Sequence, residues 1–412
     1  MSRFFFSPDI RALSRFLAFA GMLIFLSGNW ACRPADIGPA RPCSLVFADS
    51  SQRHPLNGKL QDILRQYVKN GLPGIVLRVR TPQGVWVGSA GYADLGEKVP
   101  MSPCVVSKVA SITKMLVGTL AMKLREENRL NPDDPAARFL DSEIVEHVAG
   151  LKTVTIRQLM NHTSGIPSPT AQSAFYLAVL NNPDKRWTSR EIIRFVYDLP
   201  PVRCCGPAGA SYSDANTLLL GLVLDRILGY PHARALREKI LDPLGMKNTY
   251  YFPHEELPPN TAHGYFDLYN NGTISDVTNI NTGSGNGYGG TYSTVFDISA
   301  YLDAVWREGR FLSAGSMAEM QRFVREEINP ENPLDTLYLG EGLMRRFTYL
   351  RPGTWGIGHT GRDLGYNATG FWFPREDVTV VLMVNYGTNG ESSLKPVFME
   401  CQDAILRAAL GI

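Results

Sequence analysis

Segments that read as β-strand lie near the two ends of this chain, and the stretch between them reads mostly as helix. Near the start, "IVLRVRTPQGVWVGSAGYAD" (75–94) alternates apolar and polar residues around a turn at "TPQG", the pattern of a hairpin. Near the end, "GTWGIGHTGR", "YNATGFWFPRED" and "VTVVLMVNYG" read as three successive antiparallel strands. Between them, "MLVGTLAMKLREENRL", "TIRQLMNHTSGIPS", "SREIIRFVYDL" and "TLLLGLVLDRIL" carry helical periodicity. Strands at both ends with helices inserted between them imply an α+β fold in two halves. One half is an antiparallel sheet flanked by helices, built from about 55–110 and 290–412. The other is an all-α insertion over about 111–289. A helix at "LNGKLQDILRQYVKNGLPG" opens the domain, stopped by Gly71 and Pro73, and "SLKPVFMECQDAILRAAL" closes it. Residues 254–290 are rich in Asn, Gly and Tyr and read as a long loop region, and a further loop is expected around 325–345.

The first 31 residues stand apart. Arg3, Arg11 and Arg15 precede "FLAFAGMLIFLSGNWA", the order of a secretory signal and slightly short for a membrane span. An exported protein is expected, with an uncleaved membrane anchor as the alternative. Cys32 follows directly and is a candidate for lipidation, although Asn29 and Trp30 fit such a signal poorly. Residues 32–54 read as a Pro-rich polar tether, and 55–412 as one large domain. Export would permit disulfides among the six cysteines, Cys32, Cys43, Cys104, Cys204, Cys205 and Cys401. Cys204 and Cys205 are adjacent, so one of them pairs elsewhere or stays free. The formal net charge of +2 gives no footprint for nucleic acid.

Ser-x-x-Lys occurs twice. Ser111 and Lys114 open a strongly apolar helix, where i and i+3 share a face and unpaired N–H groups favour developing negative charge. Ser392 and Lys395 lie in the polar run "TNGESS" and before Pro396, which biases Lys395 away from helical geometry. The first pair could equally be a helix cap and a surface lysine. Two further stretches bear on that choice. In "PAGASYSDANTLLLG", Tyr212 and Asp214 face one way if the chain is extended ahead of a helix from about Asn216. A phenol beside cations can serve as a base. In "WGIGHTGRDLGYNATGF", Gly361 permits close approach to a strand, and the strand edge can offer an N–H to an oxyanion. His359 there could donate to a substrate carboxylate or assist proton transfer.

The order Ser-x-x-Lys, Tyr-x-Asp, His-Thr-Gly resembles the serine β-lactamase-like and penicillin-binding-protein-like hydrolases, on their class C β-lactamase, DD-carboxypeptidase and carboxylesterase branch. The stretches "QLMNHTSGIP", "LDPLGMKNT", "AHGY" and "GGTYSTVFDISAYLDAV" extend the likeness over roughly 58–410. The resemblance implies a β-lactamase/transpeptidase-like fold with the site between its halves. It makes Ser111 the acylated nucleophile, Lys114 the amine that helps deprotonate it, and Tyr212 the phenol that takes and returns the proton. It places Asp214, His359, Thr360 and Gly361 beside the substrate and assigns the oxyanion hole to the N–H groups of Ser111 and Arg362. Two positions depart from the pattern. Asp214 stands where the family usually has asparagine, and a carboxylate accepts without donating. That disfavours peptide and β-lactam recognition and favours ester cleavage. His359 stands where class C β-lactamases have lysine, which points toward the peptidase and esterase members.

The expected activity is therefore hydrolysis of a small ester, peptide or β-lactam substrate through an acyl-enzyme, with esterase or D-amino-acid peptidase preferred over efficient β-lactamase. A catalytically weak binding or sensing module on the same scaffold is the alternative. Competing chemistries lack their motifs. There is no Gly-x-Ser-x-Gly, no His-Glu-x-x-His and no Walker-type loop. No metal or cofactor is expected.

Overall fold

The computed structural model describes residues 37–43, 51–202, 209–326, 335–390 and 392–412, all within the unit Ile37–Ile412. The signal-like segment, Cys32, Cys204 and Cys205 lie outside the described residues. Among the described residues no helix is long and apolar enough to cross a membrane.

The strands run β1 (Gly74–Thr81), β2 (Gly84–Asp94), β3 (Val99–Pro100), β4 (Ser107–Lys108), β5 (Tyr250–Tyr251), β6 (Tyr265–Phe266), β7 (Ser275–Asp276) and β8 (Thr291–Ser293). Then come β9 (Val324–Arg325), β10 (Tyr338–Gly340), β11 (Leu343–Arg346), β12 (Gly356–Asp363), β13 (Tyr366–Phe373) and β14 (Val378–Val384). The helices that matter here are α1 (Asn57–Lys69), α2 (Thr113–Glu126), α3 (Ile156–Met160), α4 (Ser173–Asn181), α5 (Asp214–Leu228), α6 (Val295–Leu302) and α7 (Lys395–Leu410).

Among the described residues, nine strands form one antiparallel sheet in the order β3-β2-β1-β14-β13-β12-β11-β10-β9. The opening hairpin joins the closing meander where β1 meets β14, in register from Ile75 opposite Val384 to Arg80 opposite Thr379. This is the sheet built from both ends of the chain. Its two faces explain the apolar run Val380–Val384 of β14. Val380, Leu382 and Val384 pack with Leu60 and Leu64 of α1 and with Phe398, Ile405 and Leu406 of α7. Val381 and Met383 point the other way, into a core shared with Ile298 of α6 and the helical half. A period of two between two covered faces favours apolar residues at successive positions, and the polar residue of β14, Thr379, is buried with its hydroxyl donating to Asp303 Oδ1 at 3.0 Å.

The strands β9, β10 and β11 extend the sheet through a region expected to be loop. They are two to four residues long, and Gly340 and Gly342 interrupt them. Segments this short cannot show an alternation that sequence reading would detect. In the helical half, α2 is buried on almost all sides, between α5 and the sheet. Ser213 caps α5, its hydroxyl accepting from the Ala215 N–H at 3.2 Å, so the helix starts at Asp214.

The described part of the expected tether lies against the domain. Ser51 is buried and exchanges hydrogen bonds with the Val87 main chain, and His54 reaches Thr81 Oγ1 at 3.0 Å. Cys43 is disulfide-bonded to Cys104, 61 residues away, whereas Cys401 is buried and free, its thiol pushed up to about 12 by burial. A loop of that length constrains the unfolded chain by about 4 kcal/mol in the chain-entropy description. Cys104→Ser is therefore expected to lower the unfolding free energy by roughly 2–4 kcal/mol in denaturant titrations, and reductant to have the same effect on the parent.

Candidate active site

Ser111 lies in a single 3-10 turn, Ala110–Ile112, that runs directly into α2. Ala110 holds a left-handed backbone (φ 47°), an uncommon conformation for a residue with a side chain. The turn is braced by the Thr113 hydroxyl, which donates to the Ala110 carbonyl at 2.6 Å. Strand β12 passes so close that a Cβ on Gly361 would lie 2.0 Å from the Val109 oxygen and 3.2 Å from the Ser111 nitrogen. Only glycine lets the strand reach the serine turn. The register of β12 with β11 covers only Gly356 to Gly358, so the strand edge from His359 onward is left open beside Ser111.

Lys114 is 1 % exposed and uses all three ammonium protons. They go to Ser111 Oγ at 2.9 Å, Asp214 Oδ1 at 2.6 Å and the Tyr288 carbonyl at 2.8 Å. Burial pushes its pKa down, but Asp214 and Tyr212 outweigh that, and the amine stands above the ordinary lysine range. Lys114 is thus an ammonium at neutral pH. Tyr212 lies over it, with the ring centroid 5.0 Å from Nζ. Burial raises the phenol's pKa, while Lys114 and the Ser111 hydroxyl pull it the other way.

Asp214 begins α5, and both its oxygens are engaged inside the protein. Lys114 donates to one and the Thr170 hydroxyl to the other, at 2.6 Å. It therefore faces the lysine rather than standing free toward a substrate. His359 is 1 % exposed, and its Nδ1–H donates to the Thr360 carbonyl at 2.5 Å. Burial, with Lys114 adding to it, holds it well below the usual imidazole range, so it is neutral. The face of β12 that carries His359 and Gly361 turns toward the serine turn, and Thr360 and Arg362 lie on the opposite face. Arg362 also sits on the open stretch of β12, one residue beyond the close approach of Gly361 to the Ser111 turn.

Four groups escaped the sequence reading. The Tyr288 carbonyl is a main-chain acceptor with no signature in residue type. Behind it, the Gly287 N–H donates to Tyr251 Oη at 2.7 Å, and Tyr251 meets His232, which meets Asp225. His162 stacks on Tyr212 with centroids 4.5 Å apart. Its Nδ1 accepts from the Ser213 N–H and from Asn216 Nδ2, and burial lowers its pKa to about 3. It is therefore a neutral plate that fixes the ring plane of Tyr212. Arg346 on β11 lies 3.5 Å from Thr360 Oγ1 and is held by Asp335 at 2.9 Å. Glu326, just past β9, accepts from the Tyr212 N–H at 3.0 Å.

The second Ser-x-x-Lys is not a pair. Ser392 Oγ bonds Tyr386 Oη at 2.7 Å, and Lys395 Nζ reaches the Gly390 carbonyl at 3.3 Å. Contrary to the bias expected from Pro396, Lys395 is the first residue of α7; the ring fits in the first turn, where its missing N–H has no partner to lose. Among the described residues no three His, Cys, Asp or Glu side chains are grouped as metal ligands.

A model of the family described as Beta-lactamase matches residues 60–398. A candidate D-alanyl-D-alanine carboxypeptidase of Escherichia coli O157:H7 is 25% identical over 296 residues, covering 64% of this chain and 66% of that protein. The match thus spans just under two thirds of that relative's length. Among solved structures, D-amino acid amidase from Ochrobactrum anthropi SV3 superposes with a TM-score of 0.74 at 26% identity, covering 86% of this chain and 98% of that one. A D-stereospecific amidohydrolase from Streptomyces sp. does so with a TM-score of 0.72 at 26% identity, covering 86% and 99%. The shared architecture is the antiparallel sheet with its helical insertion.

Proposed function

The chain belongs to the beta-lactamase family, and we propose that within it the protein is a serine hydrolase that opens an ester or amide, by preference one of a D-amino acid, through an acyl-enzyme on Ser111. The observation that carries this is the 2.9 Å contact of Lys114 with Ser111 Oγ while Asp214 and the Tyr288 carbonyl hold the same ammonium in place. In the reaction, Ser111 Oγ bonds to the substrate carbonyl carbon and its proton passes to the Lys114–Tyr212 pair. The N–H groups of Ser111 and Arg362 receive the oxyanion, which such donors stabilise more than the ground-state carbonyl. Collapse breaks the bond to the alcohol or amine, which leaves with that proton. Water then attacks the acyl-enzyme, the pair takes and returns a proton again, and the free acid departs.

Two features support the substrate preference. Asp214 accepts at both oxygens and offers no donor to the carbonyl of a peptide or β-lactam side chain, a contact that a simple ester or an amino acid amide does not need. The D-selective amide hydrolases among the similar structures act on the same class of bond. Export is part of the proposal, supported by the basic-then-apolar N-terminus and the Cys43–Cys104 disulfide, with Cys32 as the residue through which lipid would attach it to a membrane. A side-by-side rate comparison tests the reading, using a short-chain aryl ester, a D-amino acid amide, a D-Ala-D-Ala peptide and a chromogenic cephalosporin. The ester and the D-amide are expected to turn over fastest. A cephalosporin rate above both would overturn the preference. No turnover of any, with binding retained, would favour a sensing module instead.

A further inference from the structure

We propose that Glu326 is a positioning residue for Tyr212, its ionised carboxylate pinning the Tyr212 main chain to the far edge of the sheet and its protonation loosening that hold. The inference rests on the reading of Tyr212 as the proton carrier at Ser111.

Tyr212 comes from the helical half, but the segment that delivers it is stitched to the sheet. Ala210 forms a parallel bridge with Glu326, and its N–H donates to the Arg325 carbonyl at 3.0 Å. The ladder that ends at β9 therefore continues into the chain just before Tyr212. The next donor along that chain, the Tyr212 N–H, is taken by a side chain, Glu326 Oε1, at 3.0 Å. From the helical side, Ser211 N–H donates to the His162 carbonyl at 2.9 Å and Ser213 N–H to His162 Nδ1. Three consecutive N–H groups, those of Ser211, Tyr212 and Ser213, are thus fixed, two by His162 and the central one by Glu326. That central bond alone carries a charge, and a hydrogen bond to a carboxylate is about twice as strong as one to a neutral acceptor.

The groups that face Glu326 are the Tyr212 N–H from the segment before α5, Arg346 from β11 and Arg362 from β12. Burial pushes its carboxyl up, these groups pull it down, and it stands at about 7. The groups around Tyr212 titrate elsewhere: His162 at about 3, His359 well below neutrality, Lys114 and Tyr212 above their ordinary values. Among the described residues one other carboxyl also stands at about 7. It is Glu341, buried against Arg157, next to Gly342, which packs on the Lys114 carbonyl. That residue is the control.

The pH dependence of kcat/KM on an aryl ester, and of the rate of Ser111 labelling by a fluorophosphonate, tests the proposal. A group titrating at about 7 changes about tenfold in ionised fraction between pH 6 and pH 8. On top of the steady climb set by the Lys114–Tyr212 pair, the parent enzyme is expected to show an additional rise of that size with a midpoint near 7. Glu326→Gln keeps an oxygen for the Tyr212 N–H without the titration, and is expected to lose the midpoint while melting like the parent. Glu326→Leu removes the acceptor and is expected to lose the midpoint as well, running about tenfold below the parent at pH 8. A midpoint that survives Glu326→Gln, or one abolished by Glu341→Gln instead, would overturn the proposal. So would a Glu326→Leu enzyme with the parent's rate. Absence of labelling at every pH in the parent is a separate result, one that sinks the hydrolase reading and this inference together.

Discussion

Ser111→Ala is expected to abolish turnover of every substrate, by on the order of 10⁴-fold or more, and to end covalent labelling. The variant is a clean test because the serine is not what holds the site together. Lys114 keeps two of its three acceptors, Asp214 and the Tyr288 carbonyl, when Oγ is removed. The turn keeps its brace from Thr113. A loss of activity with a melting point within a few degrees of the parent's therefore reads the nucleophile and nothing else. Lys114→Ala would be less informative, since it strands Asp214 beside the buried phenol. Intact-mass measurement after a fluorophosphonate or a fluorescent penicillin checks the prediction: one adduct on the parent, mapped to Ser111, and none on the variant. A variant retaining more than about one part in a hundred of the parent rate would refute the assignment.

Which parts of this arrangement can be read from residues alone follows a physical division. Ser111 and Lys114 are near in sequence, and a helix brings i and i+3 together, so their contact is local and legible. Ser392 and Lys395 share the spacing, yet their polar surroundings distinguish them, and Ser392 is indeed turned toward Tyr386. The sheet made from both ends is legible because β1 and β2 alternate around a turn and because β13 and β14 are long runs bounded by turns. By contrast β9 to β11 are too short, and Arg346 and Glu326 were missed because they lie on or beside those strands. His162 sits within "QLMNHTSGIP", a stretch that carries the family likeness, but its stacking on Tyr212 depends on a fold that brings residues 50 apart into contact. A main-chain acceptor such as the Tyr288 carbonyl leaves no trace in residue type. Asp214 was legible as a carboxylate in place of an amide, but the sequence could not show that Lys114 and Thr170 would occupy its two oxygens.

Asp214→Asn is expected to speed ester turnover at neutral pH, by about tenfold or more, while lowering stability. Asp214 raises the pKa of both Lys114 and Tyr212. The form that accepts the Ser111 proton has one proton fewer on this coupled pair than the form that prevails at neutral pH, so the parent's rate climbs into the alkaline range. Removing the anion makes that proton easier to lose, and an opposite charge this close is worth about 1–3 pKa units. Well below the apparent pKa each unit downward raises the competent fraction about tenfold. The alkaline limb of kcat/KM therefore shifts to lower pH in the variant. Stability moves the other way. Because the folded-state pKa of Lys114 is raised, its pairing contributes stability fully below the ordinary lysine value and loses it as pH rises through the raised one. The variant forgoes that contribution at neutral pH and melts earlier. The new amide also brings a donor, and if it turns from Thr170 toward the open edge of β12, turnover of the D-Ala-D-Ala peptide and the cephalosporin rises with it. Paired pH–rate profiles decide the matter: a limb that stays where it was, or moves up, would show that Asp214 does not set the protonation of Lys114.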